Sequence, residues 1–177
     1  MKTVILCGGQ GTRIRGVSSD VPKPMLPIGG RPILWHIMKN YASSGHTDFV
    51  LCLGYKAHII KEFFLNYEAF TNDLTITLGT DKGIEYHNDH DETGWKITLA
   101  DTGVDTMTGG RVGRIKRYIG DDDIFMLTYG DGVSDVDVSA LIEFHRSHDR
   151  ILTILLINSV WRIRLETSYP LSRTMHS

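Results

Sequence analysis

Gly8, Gly9 and Gly11 sit close together just after the apolar run Lys2–Cys7, and Arg13 follows. Glycines grouped in this way let a backbone pass close to a ligand and turn its N–H groups toward it, which suits phosphate oxygens. Arg13 is permanently charged and can bridge two such oxygens with one planar fork. Lys23 stands in "PKP", where proline restricts the backbone on either side. A cation held that stiffly can stabilise charge developing at a phosphorus without reorganising. A second loop, carrying Gly130 and Asp131, follows the apolar run Ile124–Tyr129 far along the chain. Taken alone, the glycine loop reads equally well as a tight surface turn ahead of a proline-rich connector. Lys23 and the Asp131 loop favour the phosphate reading.

Spacing decides which phosphate chemistry is in question. A Walker A loop needs G-x-x-x-x-G-K-[ST], but Thr12 and Arg13 follow Gly11, and neither Gly-Lys-Ser nor Gly-Lys-Thr occurs. A dinucleotide fingerprint needs G-x-G-x-x-G and an acidic residue after the second strand. Gly9 and Gly11 supply its first two glycines, but Ile14 stands at the third and "LCLG" runs into Tyr55. Both cofactor templates fit poorly, and what remains is G-G-x-G-T-R with a lysine between two prolines shortly after it.

The elements that must hold these loops are legible from hydrophobic pattern. "KTVILC", "DFVLCLG" and "IFMLTY" are short runs apolar on both faces, as buried strands are. "LTITLG" and "WKITLAD" alternate like half-buried strands. Ile33, Ile37, Met38 and Tyr41 recur at helical spacing between Pro32 and Gly45. "YKAHIIKEFFLNY", "TGGRVGRIKRYI" and "DVSALIEFHRSH" read as further helices, the last starting near Asp137 or Ser139. "VPKPMLP" reads as extended and stiff. Strand and helix alternate, so the expected fold is α/β: a Rossmann-like, mostly parallel sheet with helices on both faces. Ligands bind such sheets at the carboxyl ends of the strands, where both loops fall.

Bulk properties bound the function classes. The 177 residues fit one domain, and 41 % apolar residues suffice for a core. A net charge of -2 gives no electrostatic footprint for nucleic acid. No apolar run is long enough to span a bilayer, and the start of the chain reads without a signal peptide. Cys7 and Cys52 lie in strand-like runs and read as buried free thiols, consistent with a reducing cytoplasm.

"LCGGQGTR" with "PKPMLPIGGRPIL" resembles the sugar-phosphate nucleotidyltransferases, the nucleotide-sugar pyrophosphorylases. "ILWHIMK", "DTGVDTMTGGR" and "TYGDGVSDVDV" place the resemblance nearest the cytidylyl branch, over roughly residues 1–148. It implies the nucleotide-diphospho-sugar transferase fold and the joining of CTP and α-D-glucose 1-phosphate into CDP-glucose and diphosphate. Leu6, Cys7, Gly8, Gly9, Gln10, Gly11, Thr12 and Arg13 would then hold the nucleotide. Thr106 and Arg111 would contact it, and Gly130 would let it approach the backbone. Arg13 and Lys23 would be catalytic, and Asp131 would bind Mg2+. The family commonly forms homo-oligomers and serves nucleotide-sugar synthesis. By its residues alone, Arg111 reads as a solvated helix position beside Arg114, Lys116 and Arg117. A related enzyme using UTP or dTTP remains open on the same motifs.

Other clusters read as structural. "EYHNDHDE" (residues 85–92) is a polar loop without metal-ligand spacing. Trp35 and His36 belong to a packing face, and Asp121–Asp123 to a solvated turn. After His148 the resemblance fades. Residues 1–150 form the expected nucleotide-binding domain. "ILTILLI" starts like a next strand, but 151–177 otherwise reads as an atypical tail, such as a frameshift or premature end produces. The family's second metal carboxylate and its sugar-binding part have no counterpart there. The expected sheet is therefore incomplete at the C-terminus, and a catalytically defective CTP-binding fragment is the second reading.

Overall fold

The computed structural model describes residues 1–10, 21–79, 83–87 and 90–155. Gly11, Thr12, Arg13 and most of the tail lie outside the described residues. In chain order, β1 (Thr3–Leu6) is followed by a 3-10 turn at Lys23–Met25, the short strands β2 (Pro27–Ile28) and β3 (Arg31–Pro32), and α1 (Ile33–Ser43). Next come β4 (Asp48–Leu53), α2 (Ala57–Leu65), α3 (Tyr67–Thr71), β5 (Leu74–Thr77), β6 (Gly83–Tyr86) and β7 (Lys96–Asp101). The last described elements are α4 (Thr108–Arg114), α5 (Lys116–Ile119), β8 (Met126–Tyr129) and α6 (Val138–Arg146).

Four strands form the central sheet in the order β7-β4-β1-β8, and every pairing is parallel. The chain therefore steps outward from β1 to β4 to β7, then returns to the other side of β1. The order reverses between β1 and β8. A crevice opens at such a reversal because the connections leave in opposite directions, and ligands sit there.

Alternation along β1 and β4 divides the core into two layers. Ile5, Cys7, Phe49, Leu51 and Leu53 face Leu34, Ile37 and Met38 of α1 and Ile60 of α2. Val4, Leu6, Val50 and Cys52 face Ile115 and Ile119 at α5. Both faces of β1 and β4 are covered, as their apolar residues require, whereas β8 at the sheet edge leaves Leu127 and Tyr129 exposed. The expected α/β fold is present in the described residues.

Four elements differ from the sequence reading. "PKPM" is not extended: the Met25 amide donates to Pro22 O (2.8 Å) and that of Leu26 to Lys23 O (3.0 Å). Pro24 tolerates this because its fixed φ suits a helical first turn. Gly29 (φ 56°) and Gly30 (φ 83°) then supply the two positive φ angles that a tight turn between β2 and β3 demands. The strand at "LTIT" pairs antiparallel with β6, which hydrophobic pattern did not show, in a separate exposed ribbon. The helix expected over "TGGRVGRIKRYI" breaks into α4 and α5 at Ile115, whose buried side chain joins the second core layer. Residues 151–155 form no strand; Thr153 Oγ1 instead meets His145 Nδ1 (2.8 Å) and His148 Nε2 (3.2 Å).

Several polar readings resolve as packing. The Asp137 side chain caps α6 by accepting from the Ala140 amide (2.9 Å). Trp35 donates to Tyr67 Oη (3.0 Å) under the Arg31 guanidinium. His90 lies against Glu68 and Glu92, and Glu92 also pairs with Lys39 (3.3 Å). Asp122 is not merely a solvated turn residue, because it holds Lys2 Nζ at 3.4 Å.

Both cysteines are free and buried. Burial pushes the Cys52 thiol up from 9.0 to about 11, against a smaller opposing pull from Arg111. Burial raises the Cys7 thiol further. In the unfolded chain these thiols ionise from about pH 9, whereas the folded chain keeps their protons. The unfolded state therefore gains first as pH rises. Stability is expected to be fully present below about pH 9 and to fall as pH rises from there, with the Cys52 contribution lost by about pH 11 and the Cys7 contribution still falling beyond it. Urea titrations across that range check this, and Cys52→Ala should flatten the slope.

Candidate active site

Each strand of the central sheet runs into a glycine at its carboxyl end: Gly8 after β1, Gly54 after β4, Gly103 after β7 and Gly130 after β8. Together they draw the loops close. A cleft of about 520 Å³ opens above these ends, lined by Gly8–Gln10, Lys23, Thr106, Arg111, Tyr129 and Asp131, among others. The glycine loop, the "PKP" lysine and the distant aspartate thus border one cleft, as their chemistry requires.

The glycine loop presents backbone. Leu6 and Cys7 bury their side chains. Their ladder groups are engaged, since the Cys7 amide donates to Cys52 O (3.0 Å) and Leu6 O accepts from the Gly130 amide (3.0 Å). The Gly8, Gly9 and Gln10 amides have no acceptor among the described residues. Gln10 Nε2 reaches Asp105 Oδ1 at 3.4 Å, which joins this loop to the one after β7.

Lys23 and Asp131 meet in the same cleft, with Nζ 3.6 Å from Oδ2. The 3-10 turn and the end of β8 bring them together. The lysine is a quarter exposed and the carboxylate nearly half exposed. Both therefore remain available to a ligand that can replace their contact.

Thr106 and Gly130 are explained first by packing. Thr106 Oγ1 accepts from Arg114 Nη1 (2.7 Å), which also donates to Thr102 O (2.6 Å). A Cβ at Gly130 would lie 2.8 Å from Cys7 Sγ and 3.2 Å from Leu6 O. Protein fills that space, so Gly130 is required by the approach of β8 to β1 whatever binds nearby.

Arg111 departs most from its sequence reading. It is 5 % exposed, not solvated. Nη1 donates to Leu53 O (3.1 Å) and Thr102 Oγ1 (2.7 Å), and Nη2 to Gly8 O (3.0 Å) and Val104 O (3.0 Å). Charge pattern placed it with its basic neighbours because a helix's buried face cannot be told from three short turns of mixed glycine and arginine. Gly54 was also missed. Its signal was available: a glycine ending an apolar strand, like Gly8 and Gly130.

Comparison with known proteins agrees with this architecture. Glucose-1-phosphate cytidylyltransferase of Salmonella typhimurium is 48% identical over 154 residues, covering 87% of this chain and 59% of that protein. The probable glucose-1-phosphate cytidylyltransferase of Bacillus subtilis is 49% identical over 160 residues, covering 90% and 61%. This chain thus spans about three-fifths of the length of these curated relatives. Among solved structures, HddC from Yersinia pseudotuberculosis complexed with GMP-PN superposes with a TM-score of 0.58 at 27% identity, over 81% of this chain and 53% of that one. Residues 2–164 match the nucleotidyl transferase family, and the chain belongs to it.

Proposed function

We propose that this chain is the nucleotide-binding part, through about residue 150, of a cytoplasmic glucose-1-phosphate cytidylyltransferase that makes CDP-glucose from CTP. The observation that carries the reading is the meeting of Lys23 and Asp131 at 3.6 Å in the cleft that the glycine loop also lines. The likeness to two cytidylyltransferases supports the base and the sugar.

The chemistry asks little of the protein beyond positioning. A sugar phosphate has a second pKa near about 6, so its oxygen is already a nucleophile at neutral pH. In-line attack on the α-phosphorus then needs two polyanions held together and their charge balanced. The Gly8–Gln10 amides cradle phosphate oxygens, and Lys23 donates to the oxygen that gains charge. Arg13 is assigned a second cationic contact by its place in the loop. Thr106 borders the nucleotide. Magnesium fits at Asp131, since it is commonly held by one or two carboxylates with substrate phosphates filling the rest. When bound, it would supply charge neutralisation on the triphosphate.

Pyrophosphate release, measured with magnesium, glucose 1-phosphate and each NTP in turn, tests the reading. Release with CTP alone is expected. CTP binding without release identifies a non-catalytic nucleotide-binding fragment, and preference for UTP or dTTP overturns the base assignment.

A further inference from the structure

We infer that Arg111 is a positioning residue for the glycine loop, acting through three strand ends and not as a ligand of the nucleotide's phosphates. A guanidinium has five N–H donors. Four of them already meet Leu53 O, Thr102 Oγ1, Gly8 O and Val104 O, at 2.7–3.1 Å. These acceptors belong to the carboxyl ends of β4, β7 and β1, which are neighbours in the sheet. Leu53 O also accepts from the Thr102 amide (2.9 Å) and Thr102 Oγ1 (2.6 Å), so the fork joins a hydrogen-bond network that links these ends and is not the sole partner of a stranded carbonyl. One planar fork ties the three strand ends to one another and fixes the spacing of the loops they start.

The glycines around it confirm how closely the fork is seated. A Cβ on Gly8 would overlap the guanidinium outright. A Cβ on Gly54 would come within 2.7 Å of Nη1, and also within 2.8 Å of Gly8 O and 2.9 Å of Gly103 O. Gly8 O receives a second hydrogen bond from the Tyr55 amide (3.2 Å). Gly8 therefore lacks a side chain because Arg111 occupies its place, whereas Gly54 is hemmed in by backbone as well. No carboxylate of the described residues lies within ion-pairing distance of Arg111. Its charge lies beside Gly8 at the cleft and favours an anion at the Gly8–Gln10 amides. That last link rests on the proposed nucleotide site; the clamp itself does not.

The two parts are tested separately. Without ligand, amide hydrogen exchange is followed at Tyr55 and at Ile5 in Arg111→Ala, Arg111→Lys, Gly8→Ala, Gly54→Ala and the Gly8→Ala/Arg111→Ala and Gly54→Ala/Arg111→Ala pairs. Arg111→Ala and Arg111→Lys should each speed exchange at Tyr55 at least tenfold and leave Ile5 protected, because an ammonium cannot serve four acceptors spread around a fork. Gly8→Ala should add nothing once Arg111 is alanine. Gly54→Ala should remain damaging in either background, since Gly8 O and Gly103 O still block it. With magnesium and CTP, Arg111→Lys should bind as poorly as Arg111→Ala. Unchanged Tyr55 exchange together with weakened CTP binding would overturn the inference in favour of a direct ligand, as would additive losses for Gly8 and Arg111. If Arg111→Ala does not fold, Arg111→Lys and Gly8→Ala decide on the same readouts. A parent chain that fails to bind CTP defeats the functional reading, while the exchange series still decides the clamp.

Discussion

Asp131→Asn is expected to bind CTP more tightly than the parent chain in EDTA and more weakly, by about 10- to 100-fold, in magnesium. The inversion follows from the contact between Lys23 Nζ and Asp131 Oδ2 at 3.6 Å. Without a metal, the carboxylate repels the triphosphate and competes for the lysine that should receive it. Removing its charge frees Lys23. On the proposed metal assignment the same carboxylate becomes a ligand when magnesium is present, and losing it would remove a charged interaction of about 1.5–3 kcal/mol. Lys23→Ala should lose affinity under both conditions, because no metal replaces its cation. Calorimetric titration of the purified chain with CTP, in each buffer, reads all of these. Equal weakening of Asp131→Asn in both buffers would remove the metal assignment from this residue.

Phe49→Ala should carry the largest loss of stability, about 3–5 kcal/mol. Phe49 is fully buried in β4, the second strand of the central four, between β1 and β7. Its ring lies 5.3 Å from that of Trp95 and packs within the layer formed by α1 and α2. Alanine there removes apolar surface and leaves a cavity that a parallel sheet cannot close, since moving β4 would break register with two neighbours at once. The shift in urea midpoint measures the loss. A change below about 1 kcal/mol would mean the layer repacks far more freely than its burial indicates.

How much of this was legible in the sequence differs by element. β1 and β4 were readable because buried parallel strands are apolar on both faces, and that signal does not depend on partners; β8 carried the same apolar run although Leu127 and Tyr129 lie exposed at the sheet edge. The order β7-β4-β1-β8 was not readable, since pairing is a property of the assembled sheet. β6 escaped because "GIEY" lies wholly exposed in a ribbon of two, with no burial to imprint a pattern. At the site, residue type sufficed to group the glycine loop, Lys23 and Asp131, whose chemistry converges on phosphate. Arg111 shows the limit of that approach. Its type says that it can bind anions, but only the carbonyls around it say what it does bind. Gly130 is similar, being required by Cys7 Sγ from another strand.

The two buried thiols point in opposite directions through the same sheet, Cys7 toward α1 and α2 and Cys52 toward α5. The molecule thus carries a pair of built-in clocks, one for each layer. With a thiol-specific label at neutral pH, neither reacts until its own cover lifts, and single Cys7→Ala and Cys52→Ala chains separate the two signals. Comparing the labelling rates tells whether the layers part together or in sequence. No foreign probe need be introduced into a core that has no room for one.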